Sequence, residues 1–295
     1  MRHPLEYALF RSVQSAARIL GPDRAYRIGS MIGAAGFRIL PNRRRLSREN
    51  VWRALPALRR GTGIEETAAG AFEHFSGSVM ESMGSAGRRP RVSFENLKVA
   101  ADALSRGRGI VSVIAHLGNW EVAGMAAARL PIPIVSVARP VHNPVLDAYF
   151  DRARARTGQR IVGNRGTIHR LTRIVADNVM LIIPCDQWPK RGVTVEFLGR
   201  PTLFLRTPAV LALRTGAPII PINIFREPGP RSSHRVVLTA PIVPTGREAD
   251  PVQAITQRIA ARLESFIREH PEQWMWMHDR WKPVPESTAA LARAA

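Results

Sequence analysis

Short β-branched runs alternate with longer amphipathic stretches over 110–225, and this alternation limits the possible folds more than any other feature of the chain. The runs fall at 110–115, 132–138, 179–184 and 219–225, with helical patterns at 120–129, 143–157, 167–177 and 208–215 between them. Strands separated by helix-length crossovers pair in parallel, and helices on both faces explain why the runs are continuously apolar. A further strand is expected at 235–240, a terminal helix at 251–270 and another helix at 64–83, followed by a Gly/Arg/Pro connector at 84–91. The chain shows no internal repeat. The expected architecture is α/β: a single domain over 61–285 with a mostly parallel central sheet flanked by helices. An N-terminal amphipathic helical annex precedes it over 1–60, and a disordered tail follows over 286–295.

The annex carries two stripes. Leu5, Leu9, Val13, Ala16 and Leu20 share one helical face with Arg11 and Arg18 opposite; after the Gly21-Pro22-Asp23 break, Ile28, Met31, Ile32, Ala35 and Ile39 form a second, with Arg27 and Arg38 off it. Pro41 ends the pattern, and Arg43, Arg44, Arg45 and Arg48 follow. Two readings stay open: a helix pair packed on the core, or one lying in the headgroup layer with its arginines toward anionic lipid at ~1 kcal/mol each. A spanning helix needs roughly 18–20 uncharged apolar residues, whereas the longest uncharged run, 109–120, is a dozen residues and contains a histidine. Glu6, Arg11 and Arg18 interrupt any signal-peptide core.

Charge and cysteine usage narrow the function classes. The formal net charge is +20, from 43 Lys+Arg against 23 Asp+Glu, and only Lys98, Lys190 and Lys282 are lysines. Hydrophobic residues at 45% with charged residues at 22% exclude a disordered or collagenous chain. The single cysteine, Cys185, excludes a disulfide framework and a multi-cysteine zinc site, and it suits a reducing compartment. So basic a chain meets either nucleic acid or an anionic membrane. Aromatic content of 6% argues against the stacking platforms of a nucleic-acid binder.

The chemistry concentrates in 114–121. A β-branched strand delivers His116 to its C-terminal end, Gly118 permits a sharp turn, and Asn119 can cap the helix that begins near Trp120. Ligands of open α/β sheets collect beyond the carboxyl ends of the strands. With His116 in the loop and Glu121 in the first helical turn, the carboxylate would fix the imidazole tautomer and leave the other nitrogen as a base. A merely structural His/Glu pair is equally open from these residues alone. The chain lacks His-Glu-x-x-His, Gly-x-Ser-x-Gly, Gly-x-Gly-x-x-Gly and phosphate-loop lysine motifs, so zinc peptidase, serine hydrolase and nucleotide chemistry have no support. No metal site is expected.

Further segments, in order, resemble a known family. Ala138-Arg139-Pro140 with 143–147, Asp186-Gln187 with Gly192-Val193 and 197–199, 207–221, and 271–278 with Trp281-Lys282 join His116–Glu121 to make five blocks. Together these resemble the bacterial lipid A biosynthesis lauroyl/myristoyl acyltransferases, within the lysophospholipid acyltransferase superfamily that also holds the phosphatidylinositol mannoside acyltransferases. The resemblance implies acyl transfer from a thioester, on acyl carrier protein or coenzyme A as co-substrate and with no cofactor, to a hydroxyl of a glycolipid, foremost a lipid A precursor. A phosphatidylinositol mannoside or lysophospholipid acceptor is the alternative, and a thioesterase or lipase the alternative of another class. It implies His116 as general base with Glu121 steadying the imidazolium, and Arg139 as the arginine beside the oxyanion. Asp186 would orient Arg139 or the acceptor, and the Gly118-Asn119 backbone would donate to the oxyanion. Cys185 reads as a small buried residue, while Trp274, Trp276 and Trp281 suit either a membrane-facing rim or the core. The implied location is the cytoplasmic face of the bacterial inner membrane, peripheral or monotopic. Arg11 and Arg18 depart from the spanning helix with which many lipid A enzymes begin.

Overall fold

Residues 2–163, 168–246 and 248–283 are described in the computed structural model; the expected tail at 286–295 and Thr167 lie outside them. The strands are β1 (Arg91–Glu95), β2 (Ile110–Ile114), β3 (Ile134–Ala138), β4 (Ile161–Gly163), β5 (Met180–Pro184), β6 (Val193–Phe197), β7 (Arg200–Phe204), β8 (Ile219–Arg226) and β9 (Ser233–Leu238). Seven form the central sheet in the order β1-β9-β8-β2-β5-β3-β4, and β6 pairs with β7 in a separate hairpin. From β8 to β4 every pairing is parallel; β9 runs antiparallel to β8 and carries β1 with it. The helices are α1 (Arg2–Ile39), α2 (Pro41–Ala54), α3 (Gly63–Gly84), α4 (Leu97–Leu104), α5 (Trp120–Ala127), α6 (Pro144–Arg156), α7 (Ile168–Ala176), α8 (Thr207–Thr215) and α9 (Pro251–Glu269). The expected mostly parallel sheet and its helices are present.

Every residue of β2 is buried, as a strand covered on both faces requires. The two faces are covered unequally. Val111, Val113, Leu181, Ile183 and Ile219 pack under Val175, Leu211, Ile259 and Leu263 of α7, α8 and α9. On the other face, Ile110, Ile114, Met180 and Ile222 meet mainly small residues, Ala100 and Ala103 of α4 and Ala123 of α5. Small side chains under short helices leave room above the sheet.

The annex is helical across both stripes, and of the two open readings its faces fit a stripe turned away from the core. α1 is interrupted at Gly21 (φ 75°, ψ 168°) and packs along α3. The side it buries is a four-residue repeat of mostly small residues, Ala17, Gly21, Ala25, Gly29 and Gly33, ending at Phe37. A Cβ on Gly33 would sit 2.2 Å from the Phe72 carbonyl oxygen, so only glycine lets the two backbones approach this closely. The large apolar residues of the stripes point outward: Leu5, Leu9, Met31, Ile32 and Ile39 are each more than half exposed, as is Ile19 beside them. As expected, the stripe of α1 stops before Pro41, which also starts α2, the helix that carries the Arg43–Arg48 cluster. Among the described residues no helix is long and apolar enough to cross a membrane.

A buried polar seam joins this helix pair to the sheet. Glu81 of α3 is fully buried and receives Asn119 Nδ2 (2.7 Å), with Arg226 Nε at 3.4 Å and His234 Nε2 at 3.3 Å. The Arg226 guanidinium lies 3.7 Å above the Tyr26 ring. Two turns away on α3, His74 contacts Tyr26 Oη (3.3 Å) and Ser78 Oγ (3.2 Å). Burial holds its imidazole down to about 4 from 6.5, despite a hydrogen bond with the Gly118 backbone and the charge of Glu81. The unfolded chain therefore takes up a proton between pH 6.5 and 4 that the native state refuses, and stability falls with pH across that window. The displacement corresponds to about 3 kcal/mol. Melting temperature followed from pH 7 to 4 should drop, and His74→Gln should flatten the slope; an unchanged slope would remove His74 as its source.

Candidate active site

The placement of His116 follows from strand register. β2 and β5 are parallel neighbours paired Ile110↔Met180 through Ile114↔Pro184, an offset of 70 residues. Continuing that offset two residues beyond both strands places His116 beside Asp186. The structure bears this out: His116 Nδ1 lies 2.6 Å from Asp186 Oδ1, and the His116 backbone N–H donates to Asp186 Oδ2 at 2.8 Å. Trp274 Nε1–H donates to the same Oδ2 at 2.7 Å. Burial pushes the Asp186 carboxyl up, but the charge and hydrogen bond of His116 and the Trp274 and backbone donors outweigh it and hold the group at about 2. The carboxylate is thus ionised at neutral pH and accepts from Nδ1–H, which leaves Nε2 as the basic nitrogen. Gln187 Nε2 is 3.3 Å from it.

The expected His116–Glu121 contact is not formed. Asn119 caps α5 by accepting from the Val122 N–H, which places Glu121 in the first helical turn. From there Glu121 reaches across to α6 and binds Arg154 through Nη2 (2.5 Å) and Nε (3.4 Å). Trp120 instead packs its ring edge-on to the imidazole, with centroids 5.0 Å apart. Asp186 likewise orients His116 rather than Arg139. Arg139 is exposed, at the end of β3.

Gly118 and Asn119 build the turn. Gly118 has φ 63°, and a Cβ there would lie 2.3 Å from the Ile224 carbonyl oxygen of β8. Gly118→Ala is therefore expected to displace the loop holding His116, lowering activity more than ten-fold and the melting temperature by several degrees. A variant with wild-type rate and melting point would show that the loop tolerates the shift. The Asn119 side chain is buried and fully engaged with Val122, Ser78, Ser82 and Glu81.

A cavity of about 450 Å³ opens at His116 and runs over the thinly covered face of the sheet. Trp120, Gly124 and Ala127 of α5 roof it, Ile114, Ile182, Ile222 and Val236 floor it, and Glu121, Arg139, Arg154 and Gln187 supply its polar wall. Gly118 and Asn119 are absent from the lining.

The C-terminal tryptophans belong to the core. Trp274 and Trp276 are buried, and Leu117 forms an isolated antiparallel bridge with Trp274. Asn50 of α2 donates to the Trp276 and His278 carbonyls (2.9 and 3.0 Å), fixing this segment. Beyond it Arg280 is buried against the Phe197 and Phe204 rings and donates to Thr202 Oγ1 at 2.7 Å. Burial lowers its guanidinium to about 10, with Asp186 opposing. Cys185 is buried, and its thiol is pushed well up by that burial, so it is no nucleophile. Among the described residues no cluster of three or more His, Cys, Asp or Glu is placed to hold a metal.

Residues missed from the sequence are Arg154, Gln187 as a neighbour of the imidazole, and the Glu81–Arg226–His234 seam. The one signal available was positional: Asp186 follows its strand by the same step as His116 follows β2.

The chain is 30% identical over 184 residues to the phosphatidylinositol mannoside acyltransferase of Mycolicibacterium smegmatis, covering 61% of this chain and 59% of that protein. It is 24% identical over 276 residues to the lipid A biosynthesis lauroyltransferase of Escherichia coli strain K12, covering 88% and 86%, and 23% identical over 274 residues to the palmitoleoyltransferase of that strain, covering 90% and 87%. The chain spans about three-fifths of the length of the mannoside acyltransferases it matches. Residues 1–283 match the bacterial lipid A biosynthesis acyltransferases, and the chain belongs to that family.

Proposed function

We propose that the protein is an acyltransferase that moves a fatty acyl group from an acyl thioester to a hydroxyl of a glycolipid, most closely a lipid A precursor. The carrying observation is a histidine, held in one tautomer by a buried carboxylate, at the mouth of an apolar cavity. The acceptor hydroxyl attacks the thioester carbonyl as His116 Nε2 takes its proton. Asp186 steadies the imidazolium, and the proton passes to the departing thiolate. The developing oxyanion meets the Gln187 amide and Arg139, both on the cavity wall. The Glu121–Arg154 pair faces the acceptor sugar.

The cavity suits the acyl chain. At ~0.8 kcal/mol per buried methylene, a medium-length chain contributes of order 10 kcal/mol of gross burial. Ala127→Phe is expected to shorten the preferred donor, each methylene left without room costing roughly four-fold in relative kcat/KM. An unchanged donor profile would place the chain elsewhere.

The outward apolar face of α1 and the arginines of α2 support attachment to an anionic leaflet without a spanning segment, on the cytoplasmic side where acyl thioesters are supplied. Purified protein incubated with labelled acyl carrier protein or acyl-CoA thioesters and a glycolipid acceptor should yield an acylated lipid. Release of free fatty acid at the same rate with and without acceptor would make it a hydrolase instead.

A further inference from the structure

A second cavity, of about 350 Å³, opens at the Gly21 break of α1, away from His116. Four arginines line it: Arg24 from the first turn of the limb that starts at Pro22, Arg88 and Arg89 after α3, and Arg91 at the start of β1. Their charge is barely compensated. Asp23 is the acidic residue in the lining; it pairs with Arg91 (3.3 Å) and accepts from the Ser232 N–H (2.6 Å). Arg24, Arg88 and Arg89 form no ion pair among the described residues, and Arg88 only donates to the Arg18 carbonyl. The inner wall is Ser232 and His234, both more than nine-tenths buried. His234 Nδ1 has no hydrogen-bond partner, although His234 Nε2 stands near Glu81; Ser232 Oγ lies beside the Asp23 and Glu81 carboxylates without a close, well-aligned hydrogen bond to either. Buried polar atoms without partners are rare and call for an explanation.

We infer that this cavity binds a phosphoryl group, with the arginines at its rim, the start of the second α1 limb beside it, and the Ser232 hydroxyl at its inner wall. Guanidinium forks and a helix N-terminus are complementary to phosphate oxygens. The source favoured by its position is a lipid headgroup, because Ile19 and Ile28, both exposed, flank the break on the face of α1 that carries the outward apolar residues.

Calorimetric titration of the full chain in detergent with inorganic phosphate should give saturable binding. Arg24→Gln/Arg89→Gln should weaken it at least ten-fold and Ser232→Ala several-fold, whereas Arg44→Gln/Arg45→Gln, which removes equal charge from α2, should leave it unchanged. Phosphatidic acid in phosphatidylcholine vesicles should displace the phosphate more effectively than phosphatidylglycerol at equal charge density. No saturable binding, or equal weakening by the α2 pair, would overturn the site. Phosphate binding that neither vesicle displaces would overturn the lipid source and leave a soluble phosphorylated ligand.

Discussion

His116→Ala is expected to yield a folded protein whose acyl transfer falls by roughly 100- to 10,000-fold, the usual contribution of a positioned general base. The imidazole is a small, partly exposed ring, so far-UV circular dichroism and melting should change little. Asp186→Asn should lose roughly 100-fold or more, because the amide neither selects the Nδ1–H tautomer nor compensates the imidazolium. Glu121→Gln provides the contrast: its carboxylate binds Arg154, so the variant should alter acceptor KM more than kcat. Steady-state rates across the three variants decide which carboxylate serves the base. A fully active Asp186→Asn beside an inactive Glu121→Gln would restore the pairing expected from the sequence, and a fully active His116→Ala would end the mechanism.

The largest stability effect is expected at Glu81. Removing its charge by Glu81→Gln leaves Arg226 buried and uncompensated, a situation that costs about 3–5 kcal/mol. Urea unfolding should show a midpoint shift of that size at unchanged slope, or the variant should fail to accumulate. The double variant Glu81→Gln/Arg226→Met should recover part of the loss, since both charges are then gone. A single-variant loss under 1 kcal/mol would mean that water reaches the seam.

The parts legible in the sequence were those governed by local periodicity. The runs at 110–115, 132–138, 179–184 and 219–225 became β2, β3, β5 and β8, and 251–270 became α9, because buried strands and amphipathic helices write their period directly. β4 is three residues long, too short for a period. The β6–β7 hairpin was announced by Leu198-Gly199, whose φ values of 53° and 70° make a two-residue hairpin turn, yet its residues registered only as a family block. At the site, His116, Gly118 and Asn119 were placed correctly in the turn. The carboxylate that meets His116 is Asp186 and not Glu121, because strand adjacency, which proximity in sequence does not report, brings the pair together. The buried face of α1 escaped the pattern for a related reason: close backbone approach to α3 selects alanine and glycine, which carry no amphipathic signal. The seam around Glu81 joins it to Arg226, 145 residues away, and to His234, farther still, which no local pattern reports.

The register of β2 and β5 also bears on how such a protein can change over generations. Histidine and carboxylate stand on adjacent strand ends, so their meeting depends on the hydrogen-bonded ladder and not on the intervening loops. Segments after β3 and around α6, which line the cavity, can be lengthened, shortened or exchanged while the reacting pair keeps its place. In the proposed reaction substrate range and proton transfer are thereby separable: insertions would retune the first, whereas a one-residue slip of either strand would destroy the second.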